Sequence, residues 1–235
     1  MSNRYGIGNA LTDIIAAPSK ALDEVRDRVR WLWAPLGIVI VLSIASMVAY
    51  FAWVDFDWLV DQAVAEAMQA GADPSAEAGI RGFMQPGTMM AVTVVSILAM
   101  TLLIYVLQAA YLHLVNKVTG NPELRFGQWF ALSAWSGFPV VFQALSILVL
   151  IAMTANRQLG QHELSPLSLQ SLLIRADAGS PWAVWGSSIT LITFWTIGLL
   201  ALGIMRWTGA SAVKAVVIAA VPSVLIFGIW ALAIV

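Results

Sequence analysis

Five stretches of this chain, 31–54, 88–112, 126–155, 182–205 and 215–235, contain no Asp, Glu, Lys or Arg, and together they hold 124 of its 235 residues. The shortest of them has 21 residues, and a bilayer core about 30 Å thick is crossed by about 20 residues of helix. Each stretch is therefore long enough to span a membrane. The chain is 60% hydrophobic and 11% charged, whereas a soluble domain has about 45–50% and about 25%. A soluble globular enzyme, a disordered chain and a nucleic-acid binder are excluded at this composition. The expectation is an all-α polytopic integral membrane protein: a five-transmembrane-helix bundle with short amphipathic interfacial helices. Residues 1–30 form a cytoplasmic amphipathic segment in this reading. Residues 31–235 form the membrane domain, with spans at about 33–54, 88–114, 126–155, 182–205 and 215–235.

The net charge of −1 is uninformative until it is divided among the connections. Alternating sides puts nine basic residues with segments 1–30, 113–125 and 206–214, among them Arg4, Lys20, Arg26, Arg28 and Arg30. Only Arg81, Arg157 and Arg175 fall on the other side, in 55–87 and 156–181. Basic side chains resist translocation, so the first side is cytoplasmic. The N-terminus is then inside, and Val235 lies outside after five crossings of the inner, cytoplasmic membrane. Tryptophan placement agrees, because eight of eleven lie at expected span ends, including Trp33, Trp129 and Trp207. Indole is amphipathic and favours the headgroup layer. Trp135 and Trp195 fall inside spans, where helix packing is the expected role.

Residues 7–17 place Ile7, Leu11, Ile14 and Ile15 at helical spacing. Pro18 interrupts, and Leu22, Val25 and Val29 then form a second apolar face backed by Lys20, Arg26, Arg28 and Arg30. Such a stripe suits contact with the cytoplasmic membrane surface, or with the ends of the bundle. Between spans one and two, Trp58, Leu59, Ala63, Val64, Ala67 and Met68 share one face of an amphipathic helix that ends at Gly71-Ala72-Asp73-Pro74. Asn116 to Pro122 reads as a turn. Ser165-Pro166 resembles a helix start ahead of Leu167. Pro139 in span three and Pro222 in span five are expected to kink their helices, since proline removes one helical hydrogen bond.

Chemistry-bearing groups are sparse. The chain has no cysteine and two histidines, His113 and His162, which the topology assigns to opposite sides of the membrane. Asp55-Phe56-Asp57 places two carboxylates close together, and its extended spacing is poor for a metal. No nucleophile elbow, zinc motif or phosphate-binding glycine loop occurs, so no catalytic, cofactor or metal residue is expected. The first thirty residues lack the pattern of a cleaved secretory signal. The spans carry no ionisable group of the kind that marks an ion path. Their polar residues, Gln108 and Gln143 among them, suit bonds between helices.

Several motifs together resemble a known family. Ile14-Ile15-Ala16-Ala17-Pro18 precedes the spans, and span three carries Trp129-Phe130-Ala131-Leu132-Ser133 and Phe138-Pro139. Leu167-Ser168-Leu169 is followed by Phe194-Trp195-Thr196-Ile197-Gly198 and Ala201-Leu202-Gly203, then Thr208-Gly209, Ser211 and Lys214-Ala215. This pattern, from about residue 10 to 235, resembles the Yip-domain (Ypt-interacting) family of five-span membrane proteins, particularly its bacterial branch. The resemblance implies a five-helix bundle with a cytoplasmic N-terminus. Eukaryotic relatives carry a long cytosolic N-terminal region and associate with small membrane-traffic GTPases, whereas here about thirty residues precede span one. Some bacterial relatives resemble accessory proteins of ABC-type exporters. The functional expectation is a non-enzymatic inner-membrane accessory or scaffold protein in contact with lipid and with another membrane protein, an ABC-type exporter or a second copy. The alternative is a lipid or small-amphiphile transporter with a groove between spans three and five at Pro139 and Pro222.

Overall fold

The computed structural model describes residues 5–119, 124–177 and 179–234. Arg4, residues 120–122 of the expected turn and Val235 lie outside the described residues. In chain order the helices are α1 (Ile7–Ala16), α2 (Pro18–Asp27), α3 (Trp33–Trp53), α4 (Phe56–Gln69), α5 (Ala76–Phe83), α6 (Pro86–Val118), α7 (Phe126–Ser136), α8 (Val140–Met153), α9 (Pro181–Ser188), α10 (Leu191–Thr208) and α11 (Ala212–Ile234). Short helical turns occupy Val29–Leu32, Gln161–Leu164 and Gln170–Ile174. Among the described residues, five segments are long and apolar enough to cross a membrane: Val29–Trp53, Pro86–Val118, Phe126–Met153, Leu191–Thr208 and Ala212–Ile234. The chain is an all-α polytopic membrane protein.

The helices divide between two compact units. The first holds residues up to 40 together with 99–140 and 193–226, and the second holds 41–98, 141–192 and residues from 227 onward. In the first unit, Ile14, Leu22, Val25, Leu112, Trp129, Leu132, Trp135, Leu200 and Trp207 form a core in which none is more than 2% exposed. Close approach of α7 and α10 depends on Gly203, because a Cβ there would collide with the Leu132 side chain. Gly137 does the same for Tyr105, whose ring occupies the space a side chain would fill.

Both prolines lie in this unit, and the chain accommodates them differently. Gly137, Phe138 and Pro139 leave the helix between α7 and α8, and Phe138 N–H turns back to the Trp135 carbonyl at 3.2 Å. That bond satisfies the carbonyl that a proline four residues on cannot serve. Pro222 instead sits inside the continuous α11. Its missing N–H would have bonded the Ile218 carbonyl, and the Tyr111 hydroxyl donates to that oxygen at 3.0 Å. Substitute donors of this kind are what make proline tolerable where no water can serve.

The second unit packs Tyr50, Phe51, Val54, Leu59, Ile147, Leu159 and Leu164 together. Segment 155–165 is tied to α3 and α8 by backbone carbonyls. Tyr50 O–H donates to the Leu159 carbonyl at 2.7 Å, Asp55 N–H to that of Arg157 at 2.8 Å, and the Gln143 amide to that of Leu164 at 2.6 Å. The bond from Gln143 is the inter-segment role expected of a glutamine in a span.

Span four differs from the continuous helix expected over 182–205. It is broken at Ile189-Thr190, where Ile189 is extended (φ −107°, ψ 115°). The break leaves backbone groups unpaired along the helix, and a neighbouring segment takes them up: Leu169 N–H donates to Ile189 at 2.8 Å and Leu191 N–H to Leu167 at 3.0 Å. Two β-branched residues, Ile189 and Thr190, suit this strand-like pairing. Ser165 likewise does not open a helix at Leu167. Its carbonyl accepts from Ser168 N–H and Ser171 O–H at 3.1 and 3.0 Å, and the helical turn starts later, at Gln170. Gly186 lets this turn lie against α9, since a Cβ there would meet Ile174 and the Gln170 backbone.

Candidate functional site

In the first unit the site is the N-terminal helical pair and its attachment. Ala10, Ile14, Ala21, Leu22 and Val25 are fully buried and Leu11 and Ile15 pack partly against them, while Ile7 is exposed, so most of the apolar stripe of α1 and α2 faces protein. Three polar straps hold it. Trp207 Nε1–H donates to the Leu22 carbonyl at 3.0 Å, within the buried core. The Arg206 guanidinium engages both carboxylate oxygens of Asp23. Gln128 works in two directions: its carbonyl caps α7 by accepting from Arg125 N–H at 2.9 Å, and its amide donates to the Arg26 carbonyl at 3.1 Å. That last bond serves a carbonyl at the end of α2, where no helical donor remains.

The four cations assigned to the cytoplasmic membrane surface divide into two pairs. Lys20 binds Asp13 at 2.8 Å and lies over the Tyr5 ring at 4.8 Å. Arg28 pairs with Glu24 and covers the Trp31 ring at 4.7 Å. Arg26 and Arg30 form no ion pair among the described residues. Asp13 is held below the usual carboxylate range by its hydrogen bond from Lys20 and then by that from Tyr5. Burial, and then the bond to Asp13, pushes the Tyr5 phenol up.

The second unit holds a cavity of about 980 Å³. Leu59, Ile80, Phe83, Met84, Met89 and Val184 supply its apolar wall. The polar edge consists of Gln62, Glu66, Gln161, His162, Ser187 and Ser188. The α4 helix is set by Asp55, whose carboxylate accepts from Trp58 N–H at 3.2 Å as N-cap. That contact gives the Asp55-Phe56-Asp57 pair a structural role at the helix start. The α5 helix is held to α4 by Arg81, bonded to Asp61 at 2.8 Å and to Glu77 at 2.9 Å. Both partners raise the affinity of Arg81 for its proton, Glu77 first. On the facing segment, Glu163 caps the turn by accepting from Gly160 N–H at 2.6 Å. His162 Nδ1 comes within 3.8 Å of Glu66 Oε1, which also accepts from the Gln62 amide at 3.0 Å.

The sequence-derived residues are distributed accordingly. Pro139, Pro222, Lys20, Arg26, Arg28 and Arg30 belong to the first unit, His162 and Asp55 to the second. His113 lies edge-on to Phe126 at 6.3 Å in the first unit. Among the described residues no group of three or more His, Asp or Glu could hold a metal ion. Gln128, Asp23 and the Glu66 edge of the cavity were not singled out from the sequence. Trp129 and Trp207 require a correction: they are 1% and 2% exposed and meet at a tilted 47° with ring centroids 6.1 Å apart in the core, so headgroup anchoring does not explain them. Trp33, by contrast, is 67% exposed.

No curated protein and no solved structure matches the chain. Its sequence does match the Yip1 domain family across residues 12–234. That stretch runs from α1 through all five spans to the end of α11. A membrane protein whose second N-terminal helix, proline-bearing spans and glycine contacts all fall within one continuous match thus belongs to the Yip1 domain family.

Proposed function

We propose that this chain is a non-enzymatic accessory or scaffold protein of the inner membrane, acting by contact within a larger assembly. The observation that carries the reading is the uneven burial of the spans. In the most apolar stretches of α6 and α11 only 6% of the residues are buried within the chain, against 39% in the spans Phe126–Met153 and Leu191–Thr208. Two helices whose central stretches carry no charge are thus left with their faces turned to lipid or to a neighbouring protein. Helices associate in a bilayer through packing and sparse hydrogen bonds, so such faces are sufficient for assembly. The resemblance to bacterial relatives makes an ABC-type exporter the partner class to test first, ahead of self-association. In the first unit, the space among Leu112, Trp129, Ile204 and Ile218 is about 10 Å³. That is room for roughly one water, which favours contact over an acyl-chain groove between spans three and five.

We place the N-terminal pair in the cytoplasm and the connections 54–85 and 154–180 outside, from the basic-residue asymmetry. An export-dependent phosphatase fused after Ile234 should be active, and a silent fusion with a cytosol-bright fluorescent counterpart would reverse the orientation. The contact reading is tested by photocrosslinkers at Leu103 and Leu107, which are 48% and 59% exposed on α6. Mild extraction and mass spectrometry should then recover one defined protein partner. A lone monomer under several detergents, with crosslinks to lipid alone, overturns it.

A further inference from the structure

The cavity of the second unit has the features of a ligand site. Its volume of about 980 Å³ lies at the upper end of the range of about 300–1,000 Å³ typical of small-molecule pockets. Its wall is hydrocarbon, and its mouth carries polar groups of one predominant kind. Ser187 and Ser188 spend their hydroxyl protons on the Ala183 and Val184 carbonyls at 2.8 and 2.9 Å, which leaves their oxygens as acceptors. Glu66 Oε1 is engaged by Gln62, while Oε2 receives no hydrogen bond among the described residues. Glu66 also stands in the last turn of α4, where the helix presents its negative end and a cation is favoured. Carboxylate, hydroxyl oxygens and helix terminus together make an acceptor-rich edge suited to a group with several donors and a positive charge. An ammonium, with three N–H donors, meets that description. The remaining polar lining groups, Gln161 and His162, can donate to an anion beside it.

The position of the cavity narrows the choice further. It is built by α4 and α5, which connect spans one and two, by residues 160–162, which connect spans three and four, and by the start of span two at Met89. Connections one–two and three–four share one side of the membrane by the parity of the crossings. The site therefore lies where a chain end from the bilayer can enter it. We propose that it binds a single phosphatidylethanolamine molecule. An acyl chain lies along Leu59, Ile80, Phe83, Met84 and Val184, the ammonium on Glu66 Oε2, and the phosphate toward Gln161 and His162. This proposal does not depend on the scaffold reading, because it requires no protein partner.

The test uses the full chain in phosphatidylcholine vesicles doped with an acyl-diazirine phosphatidylethanolamine or, in parallel, the matching phosphatidylglycerol. Photolabelled peptides are mapped by mass spectrometry, with labelling of the exposed face of α6 as the internal reference. The ethanolamine probe should label α4, α5 and 160–162 at least about 5-fold more than the glycerol probe relative to that reference, a difference in binding free energy of about 1 kcal/mol. Glu66→Gln should bring the two probes to parity while keeping the chain label. Gly79→Leu should remove the label from both, since a Cβ at Gly79 meets open space and the added side chain can occupy the cavity. Val184→Phe fills the same space from another element and should give the same loss, so misfolding of one variant cannot carry the result. Equal labelling by the two probes in the unaltered protein overturns the headgroup assignment. Undiminished labelling in both filled variants overturns the site itself.

Discussion

The two units draw on the same five spans and use them in opposite ways. The first closes on fully buried tryptophans, glycine-mediated contacts and three polar straps, and the space between Leu112, Trp129, Ile204 and Ile218 is about 10 Å³. The second ties its connecting segment to two helices through backbone carbonyls and keeps about 980 Å³ open beside them. Side-chain bonds to carbonyls fix segments that have no regular partner, and whether the space between is filled depends on residue size. Where the first unit places Trp129 and Trp135, the second lines its cavity with Ala63, Ala76 and Gly79.

Large-to-small substitution probes that contrast most strongly. Trp135→Ala, at a fully buried position, should cost about 3–5 kcal/mol. Phe83→Ala, at 55% exposure on the cavity wall, should stay within about 0.5 kcal/mol. Denaturant titration in detergent, followed by circular dichroism, checks both, and equal losses would abolish the distinction between the units. Small-to-large substitution should invert the pattern. Gly203→Val drives a side chain into Leu132 and should cost about 1–3 kcal/mol, whereas Gly79→Leu should leave the midpoint unchanged.

Straps in both units should respond alike, at intermediate size. Gln128→Ala leaves the Arg26 carbonyl and Tyr50→Phe the Leu159 carbonyl without their donors, each costing about 1–3 kcal/mol. Hydrogen exchange should locate the first loss in α2 and the second in the segment 155–165. The smallest effect is the pH response of the N-terminal pair. The folded-state value of Asp13 is lowered, so its contribution is present above the ordinary carboxylate range and is lost as pH falls through the lowered value. Protease sensitivity of α1 and α2 should therefore be flat from pH 7 to about 4 and rise below that, a response that Asp13→Asn removes.

Much of this architecture can be read from composition. Spans announce themselves because a bilayer demands long apolar runs, and the amphipathic faces of α2 and α4 show in their periodicity. The break in span four does not, because Ile189 and Thr190 are ordinary span residues and only pairing with Leu167 and Leu169 makes an extended backbone acceptable there. Trp207 is ambiguous in the sequence for a related reason. Indole at a span end suits both headgroups and a protein interface, and the choice was made by Leu22, 185 residues away in sequence. Gln128 looks like a neutral surface residue until the ends of α2 and α7 are brought together. The cavity is a space, and no local pattern encodes a space.

The bond from Tyr111 to the carbonyl that Pro222 leaves unserved ties two residues of different spans into one heritable unit. Tyr111→Phe should be harmful while proline remains and nearly neutral once Pro222→Ala restores the missing N–H. A double-mutant cycle would therefore show strong coupling between two positions that share no chemistry of their own. Among relatives in the Yip1 domain family, the two should be gained and lost together. Proline at this depth can then persist in a lineage only as long as its distant tyrosine does.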